Sequence, residues 1–269
     1  MDPLAAYPVP DVIDITRPHP ARMYDYYLGG KDHWAADREA AEQVLAVAPE
    51  VRAIARANRA FLHRAVRYLA RDKGITQFLD IGTGMPTSPN VHETAAGHVT
   101  SPKVVYADND PVIHAHANAL LTGTGTTRII FADLRDPSGI IEQAGAFLDF
   151  TRPVGLLLVA ILHFIPDADD PAGIVATLRD ALALGSCLVL SHGTTDFHPA
   201  EVTGTAMAAY DGAAAPLVLR PRAAIERFLG GFTPEEPGLV QAPLWRPDAR
   251  PRPGDLKKIA MYAAVAAKN

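Results

Sequence analysis

The chain has 269 residues, 48% of them hydrophobic and 20% charged, with a formal net charge of -5 at pH 7. That length carries a well-cored α/β domain, and the acidic balance argues against a nucleic-acid partner, which needs a basic face. The single cysteine, Cys187, excludes a disulfide framework and fits a reducing compartment.

In chain order, the opening MDPLAAYPVPDVIDITRP lacks the basic start and apolar centre of a secretory leader. The longest apolar run, VGLLLVAILHFI, falls short of the roughly 20 residues that span a bilayer. A cytoplasmic protein with no membrane partner is expected. Residues 1–74 read as a mostly helical N-terminal arm. Its ARMYDYYLGGKDHW stretch gathers Tyr24, Tyr26 and Tyr27 before a Gly29-Gly30-Lys31 loop, so it is expected to be ordered. Tyrosine packing on the core and a lid over a ligand, with Gly30 close to it, are both open. Asp37 is expected to cap a helix through REAAEQVLAVA, and Pro49 suits the first turn of the next. In that second helix Val51, Ile54, Ala55, Asn58, Leu62, Ala65, Val66 and Leu69 form one buried stripe, ended by Gly74. Asn58 interrupts the stripe and must find a partner, in a ligand, the glycine turn or nearby backbone.

Residues 75–269 alternate strand and helix. TQFLDIG, KVVYADND, TRIIFADL, VGLLLVAIL and SCLVLSHG read as five apolar strands, with a helix between the last two that Asp170 caps, Pro171 starts and Gly185 follows. Apolar strands separated by helices predict a parallel α/β sheet covered on both faces. GLVQAPLW and KKIAMYAAVAA, joined by a short loop, should pair as an antiparallel C-terminal hairpin. The insert 194–232 is expected to cap an acceptor site, and arm and sheet to form one compact unit.

Strand one runs into FLDIGTGMP. Glycines at a strand's carboxyl end let backbone approach a ligand, where open α/β sheets bind theirs. A dinucleotide fingerprint would place a third glycine where Thr87 stands, and Pro86 and Pro89 delay the helix that would face a pyrophosphate. Asp108, an exposed carboxylate ending strand two, can accept from a ribose diol, with Asn109 beside it. Asp133, ending strand three with Leu134, can accept from an adenine amine. Adenine, ribose, no diphosphate and an acid, Asp80, facing a sulfonium and ammonium describe S-adenosyl-L-methionine.

The blocks RPHPARMYDYYLGGKDHWAADREAAEQ, RANRAFLHRAVRYLA, FLDIGTGMPT, VVYADNDP, ADLRDP and LHFIPD, with the closing hairpin, cover nearly the whole chain. Together they resemble the class I S-adenosylmethionine-dependent methyltransferases, and more narrowly an actinobacterial methyltransferase family once catalogued as a domain of unknown function. The resemblance implies a Rossmann-like seven-stranded sheet with helices on both faces and an antiparallel inserted last strand. It supplies no substrate. The expected cofactor site is Asp80, Gly82, Gly84, Asp108, Asn109, Asp133, Leu134, Gly30 and Asn58. His163, after strand four, is the candidate base or a structural histidine. No metal site is expected: Asp167, Asp169 and Asp170 resemble a cluster only until the helix cap is noticed. The insert mixes small and apolar residues and carries few cations, which suits a small organic acceptor. A cofactor-sensing module without catalysis and a nicotinamide-dependent oxidoreductase remain the alternatives.

Overall fold

The computed structural model describes residues 14–121 and 125–269. The first 13 residues of the expected arm, and with them most of the segment read against a leader, lie outside the described residues. Helices α1 (Pro20–Leu28), α2 (Ala35–Val47) and α3 (Val51–Arg71) precede the sheet. Asp37 is not the cap expected of it. The helix begins two residues earlier, and the Asp37 carboxylate reaches back to accept from Trp34 N at 2.9 Å.

The parallel strands are β1 (Gln77–Ile81), β2 (Lys103–Asp108), β3 (Thr127–Phe131), β4 (Gly155–Val159) and β5 (Cys187–Gly193). Between them run α4 (Val91–Ala96), α5 (Pro111–Leu121), α6 (Pro137–Gly145) and α7 (Pro171–Ala181). Asp170 caps α7 by accepting from Gly173 N at 3.0 Å, and Gly185 follows in the left-handed region, both as the residue types require. After β5 come α8 (Ala200–Ala208) and α9 (Arg222–Glu226), then β6 (Thr233–Pro234), β7 (Val240–Gln241) and β8 (Met261–Ala267). The sheet order is β3-β2-β1-β4-β5-β8-β6, with β7 also on β8. The strand order reverses between β1 and β4, so a crevice opens at their carboxyl ends.

Successive side chains on each strand serve opposite faces, and both faces are covered. Leu79, Ile81, Leu156, Leu158, Leu188 and Leu190 pack with Ile140, Ile174 and Leu178 of α6 and α7. Phe78, Tyr106, Leu157 and Val189 pack on the other side with Phe61, Leu62, Val66 and Leu69 of α3. That double cover is why the strands read as continuous apolar runs.

β8 lies antiparallel between β5 and the edge, pairing Cys187 with Ala267. The partner strand expected from GLVQAPLW is broken. Val240 and Gln241 pair with β8, but Pro243 has no N–H to continue the ladder. The chain turns into a 3-10 helix over Ala242–Leu244 and buries Trp245. Arg64 holds the turn by donating to the carbonyls of Ala242 and Trp245 at 2.8 and 3.0 Å. A second short piece, β6, pairs at the other end of β8, so the sheet has eight strands where seven were expected. Among the described residues no helix is long and apolar enough to cross a membrane.

Candidate functional site

A cavity of about 440 Å³ opens over the carboxyl ends of β1 to β4. Its floor is the turn after β1. Gly82 and Gly84 both take positive φ, 71° and 66°, and a Cβ on Gly82 would strike the Ile161 side chain at 2.6 Å. The sequence places glycine there because no other residue fits both the conformation and the contact.

Asp80, Gly82, Gly84, Asp108, Asn109, Asp133, Leu134 and Asn58 all line this cavity. Asp80 is buried, and desolvation pushes its carboxyl up to about 6, against the opposing pull of Arg59 and a bond from Thr83. Asp108 is buried rather than exposed as expected. Its carboxylate accepts from Gly84 N at 2.9 Å and Asp110 N at 3.0 Å, and burial holds its pKa above the usual carboxylate range. The acid thus braces the glycine turn. Asp133 is also engaged: burial would raise its pKa, but Arg135 and Asn109 donate to both oxygens and hold it below the usual range. Within the fold, Asn58 bonds neither the glycine turn nor nearby backbone. Its amide donates to the Tyr24 hydroxyl at 3.0 Å and accepts from Ser191 Oγ at 2.6 Å.

Gly30 does not line this cavity. A Cβ there would collide with the Asp25 carboxylate, which accepts from Asp32 N at 3.0 Å and contacts His33 Nδ1 at 2.9 Å. The Gly29-Gly30 loop is therefore wrapped round Asp25. Several lining residues had no sequence signal strong enough to single them out: Arg17, His19, Arg22, Arg59 and Ala160. Arg22 is the most consequential. Buried, it donates to Asp37 at 3.0 Å and Asp110 at 3.1 Å, latching the arm to the end of β2. Only the acid before Pro111 hinted at it, and that acid reads first as a helix cap, which it also is, accepting from Val112 N at 2.8 Å. Arg59 donates to the Thr87 and Pro89 carbonyls of the turn, and its Nε is buried without a partner.

A second cavity, about 120 Å³, shares Pro20, Tyr24, Ala160 and Phe164 with the first. The residues expected to wall an acceptor site contribute to it: Val202, Ala206, Tyr210, Leu217 and Leu219 from the insert, and His163 after β4. His163 is buried at the wall of this cavity. Burial, helped by His192 and Arg220, drives its pKa well below the ordinary histidine value. Its Nδ1 accepts from Gly193 N at 3.2 Å, so the ring proton sits on Nε2 and the imidazole is a donor. Asp167 is taken by buried Arg220, which donates to it and to the carbonyls of Leu162 and Ile165. Among the described residues no group of three or more His, Cys, Asp or Glu is placed to hold a metal ion.

The family model described as S-adenosyl methyltransferase matches residues 7–269. The chain belongs to that family. It is 43% identical to a DUF574 family protein from Streptomyces avermitilis, covering 96% of this chain and 100% of that one with a TM-score of 0.89. It is 35% identical to a protein from Thermobifida fusca, assigned provisionally as a methyltransferase, over 95% of this chain and 97% of that one, also at 0.89. Human N-acetylserotonin methyltransferase, solved with S-adenosylmethionine, shares the fold at 13% identity and a TM-score of 0.50, over 94% of this chain and 63% of that one. No curated protein matches the chain. This family member thus has the class I sheet, with helices on both faces and an antiparallel strand inserted next to the last.

Proposed function

We propose that the larger cavity binds S-adenosylmethionine and that the methyl group passes to a small organic acceptor in the smaller one. The observation that carries this reading is the charge pairing inside the larger cavity. Its cations are already committed: Arg22 to Asp37 and Asp110, Arg135 to Asp133, and Arg17 to the Ala213 carbonyl. Only Arg59 keeps an unpartnered buried nitrogen. A dinucleotide diphosphate would find few donors there, whereas one amino-acid carboxylate has one. The complex of the human relative with S-adenosylmethionine supports the same choice.

In this reading Arg59 Nε donates to the carboxylate of the methionine portion, and Asp80 faces its cationic groups. Asp108 keeps Gly84 in place and offers its remaining lone pairs to the ribose. Leu134 flanks the adenine, and Asp133 can accept the adenine amine only by exchanging one of its Arg135 bonds. S-adenosylmethionine supplies an electrophilic methyl on a positive sulfur. The chain's part is then to orient the acceptor across the shared wall of Tyr24, Ala160 and Phe164 and to exclude water, so positioning carries most of the acceleration. His163, neutral with its Nδ1 held by Gly193 N, keeps Nε2–H free to orient the acceptor. The presence of a second cavity favours an enzyme over a cofactor sensor.

Titration calorimetry with S-adenosylmethionine and with NAD tests the assignment. Saturable binding of the first alone is expected, and binding of NAD alone would end it.

A further inference from the structure

The smaller cavity has one unsatisfied polar feature. Its other polar side chains find partners within the fold. Tyr24 donates to the Ala55 carbonyl at 3.0 Å, the Tyr27 and Tyr210 hydroxyls meet at 3.2 Å, and Thr203 donates to the Ala200 carbonyl at 3.1 Å. Thr194 accepts from Asp196 N, and His163 is engaged through Nδ1. Glu50 and His198 instead face each other, with Nε2 and Oε1 3.5 Å apart, and the buried His198 Nε2 makes no hydrogen bond. No Lys or Arg lines this cavity to balance the Glu50 carboxylate. The buried His198 nitrogen left in this state costs free energy that a ligand donor can recover.

The pair also stands at a defined distance from the larger cavity. Glu50 precedes the first turn of α3, and Val51, Ile54 and Ala55 line the smaller cavity. Asn58, on the same helix and lining the larger cavity, is farther along by roughly 12 Å at 1.5 Å per residue. Glu50 therefore lies at the end of α3 away from the larger cavity, where it would meet the part of an acceptor away from the methylated atom. An engineered apolar cavity of about 150 Å³ holds benzene, so the volume of about 120 Å³ suits a body of ring size.

We propose that Glu50 and His198 form the polar end of the acceptor site. They recognise a hydrogen-bond-donating group, an ammonium or a hydroxyl, carried by a small, otherwise apolar acceptor at the end away from the methylated atom. This inference takes the acceptor role of the smaller cavity from the function proposed above. Ligand-observed NMR with benzylamine, benzyl alcohol and benzoate tests it on the full chain saturated with S-adenosylhomocysteine. Benzylamine or benzyl alcohol should bind at least tenfold more tightly than benzoate, and whichever is preferred identifies the donor as charged or neutral. Glu50→Gln should abolish that preference. Because Glu50 makes no side-chain cap bond to α3, the variant should melt near the parent temperature and bind S-adenosylhomocysteine unchanged. Equal binding of all three probes, preference for benzoate, or a preference that survives Glu50→Gln would overturn the inference. Failure of S-adenosylhomocysteine to bind the parent protein would instead sink the proposed function, and the probes, titrated alone, would still decide the donor site.

Discussion

Asp80 shows how one side chain can oppose stability and serve binding. Its carboxyl, pushed up to about 6 by burial, holds its proton to higher pH when folded than the ordinary value of 3.8 allows when unfolded. Its contribution to stability is therefore full below pH 3.8, falls as pH rises to about 6, and stays low above it. Asp80→Asn should accordingly stabilise the ligand-free protein at pH 7, by up to about 3 kcal/mol at 1.36 kcal/mol per pKa unit, read as a higher melting temperature. The same change should weaken S-adenosylmethionine, because a cation prefers the ionised acid. In the parent protein affinity should drop about tenfold from pH 7 to pH 5, where roughly a tenth of a group with a pKa of about 6 is ionised. Calorimetry across that range checks it, and a flat profile would separate Asp80 from the bound cation. Asp80, Gly82 and Asp108 were legible because strand ends and glycine turns are local patterns. Their partners were not. Nothing near Asp108 in sequence announces that it braces Gly84, and the tautomer of His163 depends on Gly193, on another strand.

At the scale of elements, the arm is legible as helices but not as a latch. Of the stripe on α3, Ala55, Asn58, Leu62, Ala65, Val66 and Leu69 are buried while Val51 and Ile54 are half-buried, since the periodic apolar face finds the sheet only beyond its first turn. No local pattern singles out Arg22 in the sequence; in the fold it is buried between Asp37 and Asp110, which are 0% and 1% exposed. Removing one member of such a group leaves the others charged and unpaired. Arg22→Ala should therefore cost about 3–5 kcal/mol in urea unfolding and speed hydrogen exchange in residues 20–28. Because the latch is made entirely of this chain's own side chains, those amides should be protected in the parent protein without added ligand. Fast exchange there would mean that Arg22 does not hold the arm closed. The broken edge strand teaches a related lesson. The run GLVQAPLW was apolar enough to suggest a strand, but Pro243 and the carbonyl-seeking Arg64 decide its path, and Arg64 lies far away in the chain.

For the whole molecule, the reversal of strand order between β1 and β4 puts the glycine turn and the end of β4 side by side, and α3 runs across both cavities. Ala160 sits at the junction. It lines both cavities, takes a positive φ of 56° that is uncommon for a residue with a Cβ, and is held by Ser191, whose hydroxyl accepts from Ala160 N at 2.9 Å. A conformation of that kind persists where the surroundings fix it, here through a strand that also bonds Asn58 on α3. If methyl transfer crosses this wall, bulk added at Ala160 should separate the two sites without emptying either. Ala160→Leu keeps the Cβ and its backbone strain and adds only volume. With S-adenosylmethionine and benzylamine both bound, nuclear Overhauser contacts between the sulfonium methyl and the benzyl ring should appear in the parent protein and vanish in Ala160→Leu. Each affinity, measured alone, should stay within about threefold, equivalent to less than 1 kcal/mol. Contacts that persist in the variant would move the passage away from Ala160. Contacts missing from the parent protein would mean that the two cavities do not meet at the methyl group.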